Sequence, residues 1–281
     1  MNIRITPDSI RNLAPLSNDQ LQTMAPAIFS KKAAPDVSDR YSFVSTAEIL
    51  PVLRDHGFQP VAAAQRGSRN FGVHRVELFH ENHLKGLTSG KLEEAPRWIL
   101  NNSHDRTTRL NLIGGFFRFA CSNGMIVASG VTASLRMLHI SLDDAAIRTA
   151  ISGMSQMLDE TMSRVADFRN RKLNKIEQNL LANYAAEVRY AGWNSVPVEA
   201  KDLLAVRRDE DRGEDLWTVF NRVQENSTRG GIATRNGRVT RPLKSFYADV
   251  TVNRRLWAGA EAIFEGGASG IQALRKELAK N

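Results

Sequence analysis

The stretch that most constrains the fold is residues 106–131, RTTRLNLIGGFFRFACSNGMIVASGV. Phe117, Phe119 and Cys121 alternate with Phe116, Arg118 and Ala120, and an alternation of period two predicts a strand. Ser122-Asn123-Gly124 breaks the run before Met125-Ile126-Val127-Ala128. Asn-Gly tolerates the positive φ angles of a type I′ turn, so the pattern predicts a hairpin centred on Asn123 and Gly124. In that register Cys121 faces Ile126, Phe119 faces Ala128, and Arg118 stands opposite Ser129. A buried central hairpin would carry Val or Leu at position 118, so Arg118 is the first pointer to function.

The chain before this hairpin reads as strand, helix and hairpin. Residues 1–40 form an arm and linker with one short helix, capped by Ser17 or Asn18 and ended by Pro26. Residues 41–44 read as a strand, and Ser45-Thr46-Ala47-Glu48 matches a capping box. The helix that follows carries Ile49, Leu50 and Leu53, is shortened or bent by Pro51, and stops at Gly57. Strands over 58–65 and 71–79 flank a turn at Arg66-Gly67-Ser68-Arg69. Residues 84–90 read as a loop, 97–100 as a strand or short helix, and 101–105 as a polar turn.

From Ser141 the period lengthens. Ile147, Ile151, Met154, Leu158, Met162 and Val165 recur at steps of three and four, and Leu173, Ile176, Leu180, Tyr184 and Val188 continue them. This predicts one long amphipathic helix over 143–191, or a pair jointed near 167–171, serving as core or as a seam between subunits. Residues 196–215 hold seven acids and four bases and read as a solvated helix and loop. A helix opens at Leu216, a closing helix covers 252–264, and the tail from Glu265 reads as frayed. The expected fold is α+β: a curved, mainly antiparallel sheet with β-hairpins packed against the long helix, plus a smaller helical C-terminal part. The boundaries are 1–40 for the arm, 41–192 for the α+β core and 193–281 for the C-terminal part.

With 281 residues, 42% of them hydrophobic, the chain can bury a substantial core. Its net charge of +8 favours a polyanionic partner, nucleic acid first. A single cysteine excludes an intrachain disulfide and a multi-cysteine zinc site, which fits a reducing cytosol. Neither an export signal nor an apolar run long enough to span a bilayer is visible, so the expectation is a cytoplasmic protein with no membrane partner.

Catalytic chemistry finds little support. His80-x-x-His83, with His104, Asp105 or Cys121, could hold a metal, but solvated loop histidines explain the pair more simply. Cys121 with His104 lacks an accompanying elbow or oxyanion motif. Gly114-Gly115 fits a bulge or bend better than a phosphate loop. No enzyme activity, cofactor or metal is expected.

The basic residues cluster. Arg66 and Arg69 flank a hairpin tip, Arg75 follows on the returning strand, and Arg106, Arg109 and Arg118 lie along the central strands. In 227–245 Arg229, Arg235, Arg238, Arg241 and Lys244 occur with no acid, and Arg235 and Arg238 flank a second Asn-Gly turn at Asn236-Gly237. Arginines beside glycine at hairpin tips reach a phosphate backbone without steric cost. The expected nucleic-acid-binding set is Arg66, Arg69, Arg75 and Arg118 on the sheet, with Arg235, Arg238, Arg241 and Lys244 on a mobile arm. Phe71 could stack on unpaired bases, although a core position suits it better.

Asn101, Ser103, His104 and Asp105, followed by Phe117-Arg118-x-x-Cys121-Ser122-Asn123-Gly124, resemble the hallmark of a phage and plasmid family, domain of unknown function 932. The resemblance continues through Trp217-x-x-Phe220-Asn221 and Asn253-x-x-Leu256-Trp257. Family members usually carry glycine after the His-Asp pair, where this chain has Arg106. The resemblance implies a mobile-element context and no established catalytic residues. More weakly, the order of helix, hairpin, strands and long helix is similar to the core of Rad52-type annealing proteins. The resulting expectation is a sequence-independent protein of single-stranded DNA, engaged in annealing or recombination and self-associating. The alternative is an interaction protein of a mobile element that inhibits a host defence or restriction factor.

Overall fold

The computed structural model describes residues 12–38, 41, 43–92, 94–118, 123–125, 144–192, 195–243 and 245–279. The chain forms two compact units, 1–158 and 159–281, whereas the sequence pattern places the division at 192. Of the expected features, Cys121, Ile126, Ala128, Ser129 and Lys244 lie outside the described residues, as do the side chains of Arg118 and most of 144–158.

The first unit is a five-stranded antiparallel meander, β1 Phe58–Arg66, β2 Val73–His80, β3 Glu94–Asn102, β4 Asn111–Arg118 and β5 Asn123–Met125, in that spatial order. Residues 97–100 are strand, in the middle of β3. One face of the sheet carries Phe58, Ala63, Val76, Leu78, Trp98, Leu100 and Leu112. Helix α1 (Asn18–Met24) has the expected Ser17 cap, completed by Gln20. It buries Leu21 fully, and Ala25 and Ile28 follow it into the same core, so this part of the N-terminal segment belongs to the fold. Helix α2 (Thr46–Asp55) closes over that face with Ile49, Leu50 and Leu53. The other face gathers Val61, Phe79 and Ala95 around Leu84 and Leu87. A bulge between Pro60 and Ala62 shifts the alternation of β1, so that Phe58 and Ala63, five residues apart, share one face.

Four local expectations are corrected. Asn123 and Gly124 do not form the turn: they pair with Arg118 and Phe117 as part of β5. Residues 84–90, expected as loop, belong largely to helix α3 (Glu81–Thr88), because Leu84 and Leu87 find apolar partners on the sheet. Residues 43 and 44 are not strand, although Val44 is buried. The capping box at Ser45 does not close, for Ser45 makes no side-chain cap and Thr46 turns its hydroxyl to other partners.

The second unit is helical. The long helical stretch is a pair, α4 (Asp144–Asn170), which enters this unit at residue 159, and α5 (Lys175–Arg189), with the break close to the expected joint. Asn174 and Glu177 form the capping box that starts α5. Helix α5 packs against α6 (Leu216–Arg229) and α7 (Phe246–Leu278). The stripe holds at Val165, Leu173, Tyr184 and Val188, which are buried, whereas Met162 and Ile176 are exposed. The tail is helix: α7 continues, interrupted at Gly267 (φ 57°), and buries Ile271. At Gly259 α7 comes close to α5, since a Cβ there would lie 2.6 Å from the Tyr184 ring.

Helix α6 is buried on almost every side although nine of its 14 residues are polar, so those residues must be satisfied internally. Gln224 bonds Asn253 (2.6 Å), Asn226 donates to the Leu203 carbonyl (2.8 Å), and Glu225 sits between Arg208 and Arg229. The acidic segment before α6 is thus only partly solvated: Arg208 reaches both Glu225 and the buried Asp211.

Candidate nucleic-acid interface

The meander brings two turns to the same end of the sheet. The rung Gln65–His74–Asn102 is the last continuous one across β1, β2 and β3 there. Beyond it the β1–β2 turn carries Arg66 and Arg69, and the β3–β4 turn carries Arg106 and Arg109. All four side chains are exposed, and none is ion-paired to an acid among the described residues. The tips are joined through backbone, because the His104 amide donates to the Phe71 carbonyl (2.9 Å). A third segment crosses the same end: Ala27 donates to Gln65 Oε1 (2.8 Å) and Ala34 to the His104 carbonyl (2.9 Å). That segment contributes exposed Lys31 and Lys32. Among the described residues of these segments the acids are exposed Asp36 and half-buried Asp105.

Beneath the tips lies a buried polar network built around Asn102 and Ser103. Asn102 Nδ2 donates to the Val44 carbonyl (3.2 Å) and to Thr46 Oγ1 (3.0 Å), while its Oδ1 accepts from the Ser103 amide (2.9 Å). Thr46 Oγ1 also meets His74 Nε2 (2.7 Å). Ser103 Oγ closes the turn by bonding both the amide (2.9 Å) and carbonyl (3.0 Å) of Thr108. The His104 ring lies 4.8 Å from that of Phe43 and 5.0 Å from that of His74.

Burial pushes the His74 pKa down to about 4, and it lowers that of His104 as well, so both rings are neutral in the folded protein at neutral pH. At Asp105 burial acts upward, but hydrogen bonds led by those from Thr107 outweigh it and hold the carboxyl below its ordinary range. Arg106 has φ 68°, in the left-handed region that favours glycine. The backbone here needs a glycine-like conformation, and this chain meets it with an arginine at the apex of the turn.

Arg75 stands apart from the other expected site residues. It is 6% exposed, on the Phe79 face of the sheet, 3.0 Å from Glu77, which also holds Arg97 at 2.8 Å. The interior therefore claims its guanidinium, and the correction follows from strand parity, because Arg75 and Glu77 point the same way as Phe79.

In the second unit, Arg235, Arg238 and Arg241 are exposed on a short hairpin with a bridge between Ala233 and Val239. Its turn follows the Asn236-Gly237 signal, with Gly237 at φ 76°. The hairpin is pinned instead of forming the expected mobile arm. Arg235 donates its amide to the Pro197 carbonyl (2.9 Å), and Arg189 Nη2 donates to the Arg241 carbonyl (3.1 Å). Of the expected set, the structure thus brings Arg66 and Arg69 together in one unit and Arg235, Arg238 and Arg241 in the other. No local pattern points to Lys31 and Lys32, because only the fold carries them to this end. Arg106 and Arg109, which the sequence places along strands, lie at a tip.

His80 and His83 lie 5.9 Å apart between ring centroids, and no group of three or more His, Cys, Asp or Glu is placed to hold a metal among the described residues. No helix among the described residues is long and apolar enough to cross a membrane.

Residues 35–257 match the model of the family described as a domain of unknown function, DUF932. The chain belongs to that family. Two curated relatives from Escherichia coli (strain K12), the UPF0380 proteins YafZ and YfjQ, are each 31% identical over 267 residues. In both comparisons the match covers 90% of this chain and 93% of the relative. No solved structure matches, so the weaker likeness to the Rad52-type core finds no support. Apart from the 117–124 run, part of which lies outside the described residues, the family-bearing residues fall into two places. Within Asn101 to Asp105, Ser103 joins Asn102 in the polar network under the tips. Trp217, Phe220 and Trp257 interlock in the helical core, with Trp217 and Phe220 stacked at 5.9 Å and Phe220 edge-on to Trp257 at 5.9 Å.

Proposed function

We propose that this protein binds single-stranded nucleic acid, DNA before RNA, without regard to sequence, through the arginine-bearing end of its sheet. The observation that carries the reading is the convergence of Arg66, Arg69, Arg106 and Arg109 on two backbone-joined tips. Exposed guanidiniums on fixed turns suit phosphate contacts, and half-buried Phe71 between the tips offers a partial face to an unpaired base. The Arg235–Arg241 hairpin supplies a second basic surface. No enzyme activity is part of this reading. Self-association and pairing of complementary strands on a phage or plasmid are its finer steps, and each has its own readout.

The test is fluorescence anisotropy of a labelled oligothymidylate across a salt series. Replacing Arg66, Arg69, Arg106 and Arg109 together by Ala should weaken binding and flatten the log–log salt slope by up to about 0.7 for each phosphate that is no longer neutralised. Absence of salt-dependent binding by the wild type at low ionic strength would overturn the reading. It would leave inhibition of a host defence or restriction factor as the function to pursue. Equal affinity for duplex would remove the single-strand preference, and failure to speed strand pairing would remove annealing alone.

A further inference from the structure

The second unit holds a pocket of about 660 Å³ between the end of α5 and the basic hairpin. Arg189, Tyr190, Arg238 and Arg241 line it, with Pro197 and Val239 as apolar wall, and among the described residues no carboxylate lines it. Arg189 is half-buried and fixed: Nε donates to the Ser227 carbonyl (2.9 Å), Nη2 to the Arg241 carbonyl (3.1 Å), and the guanidinium lies 5.1 Å from the Tyr190 ring centroid. Carbonyl and ring partners orient the charge without neutralising it, which leaves a site for an anion. The volume is that of a small-molecule pocket. A neighbouring pocket of about 690 Å³ lacks this character, because Glu187, paired with Arg275, lines it.

We infer that the pocket takes a nucleotide phosphate, with Arg189, Arg238 and Arg241 on the phosphate and Val239 and Pro197 against the base. The same chemistry is offered by a free nucleotide and by the phosphorylated end of a strand. Arg235, on the same hairpin, lies outside the pocket and 3.8 Å from Glu199. This inference is independent of the sheet-end reading, since all its residues belong to the other unit.

The experiment is calorimetric titration of the full chain with adenosine monophosphate, adenosine and inorganic phosphate. Adenosine monophosphate should bind and adenosine should not. Arg238→Ala with Arg241→Ala should weaken it about tenfold or more, as expected when charge-assisted hydrogen bonds are removed. Arg235→Ala should change it less than about twofold, as expected of an exposed, weakly paired side chain. The variant lacking Arg66, Arg69, Arg106 and Arg109 should retain it in full, so the two proposals fail separately. A labelled oligonucleotide that binds more tightly with a terminal phosphate than without, and that adenosine monophosphate displaces, would identify the strand end as the source. Indifference to that phosphate would identify the free nucleotide. No binding of the monophosphate, equal binding of adenosine, or an unaffected double variant would overturn the inference.

Discussion

The β3–β4 tip and the 233–239 hairpin present arginines in the same way and are supported in opposite ways. The first stands on a buried network of Thr46, His74, Asn102 and Ser103, and its positive φ falls on Arg106 (68°). The second is held largely by backbone and by Arg189 at its base, and its positive φ falls on Gly237 (76°). A basic turn can thus be set by the core beneath it or by its own glycine. The first arrangement ties the tip's geometry to the stability and protonation of the interior; the second leaves the turn nearly self-sufficient.

The sharpest break in that comparison is between two asparagines. Asn102→Ala removes three hydrogen bonds in a buried site and should cost about 3 kcal/mol, at the upper end for groups left unsatisfied. Asn236→Ala removes one exposed hydrogen bond, with Thr234, and should cost no more than about 0.5 kcal/mol. Urea denaturation of the two variants checks the contrast, and equal destabilisation would show that the network does not hold the first tip.

Acid should separate the units next. All six histidines lie before residue 159. The folded pKa of His74, about 4, is below the ordinary 6.5, so between those values the unfolded chain binds a proton that the folded chain refuses. Stability is therefore intact above about pH 6.5 and falls as pH drops toward 4. Over a shift of roughly 2.5 units the decrease approaches about 3 kcal/mol as an upper bound. His104 acts in the same direction. Hydrogen exchange should show the two sheet tips losing protection on acidification while the Ile232 and Thr240 amides keep theirs. His74→Gln, which cannot titrate, should flatten the dependence; an unchanged slope would place the acid response elsewhere.

The two left-handed positions give smaller effects of opposite sign. No atom lies within 4 Å of a Cβ added at Gly237, so Gly237→Ala should cost only the backbone strain, about 1 kcal/mol. Arg106→Gly should relieve strain and stabilise the first unit by up to about 1 kcal/mol, net of the greater freedom glycine has when unfolded. The same variant should lower the salt slope for single strands by about 0.7, the equivalent of one phosphate. A melting point that rises while the slope falls would show the arginine held there for binding. A rise with no change in slope would remove Arg106 from the interface.

The sequence by itself determined what periodicity and short-range chemistry control. The β1–β2 hairpin, the Ser17 cap, the joint between α4 and α5, the Asn236-Gly237 turn and the α+β class all follow from patterns a few residues long. So does family membership, carried by Asn101 to Asp105 and by the tryptophans of the helical core. Tertiary structure alone decided the rest. Residues 84–90 are largely helix because Leu84 and Leu87 have a sheet to pack on, and Asn123-Gly124 lies in a strand because it pairs with the end of β4, against the local turn signal. Thr46 turns its hydroxyl into the interior because His74 and Asn102 reach it from two strands. Arg75 looks like Arg66 and Arg69 in the sequence, yet it is interior because Glu77 shares its face of the sheet. Whether a charge meets solvent or a buried partner depends on residues distant in sequence, and local pattern does not specify them.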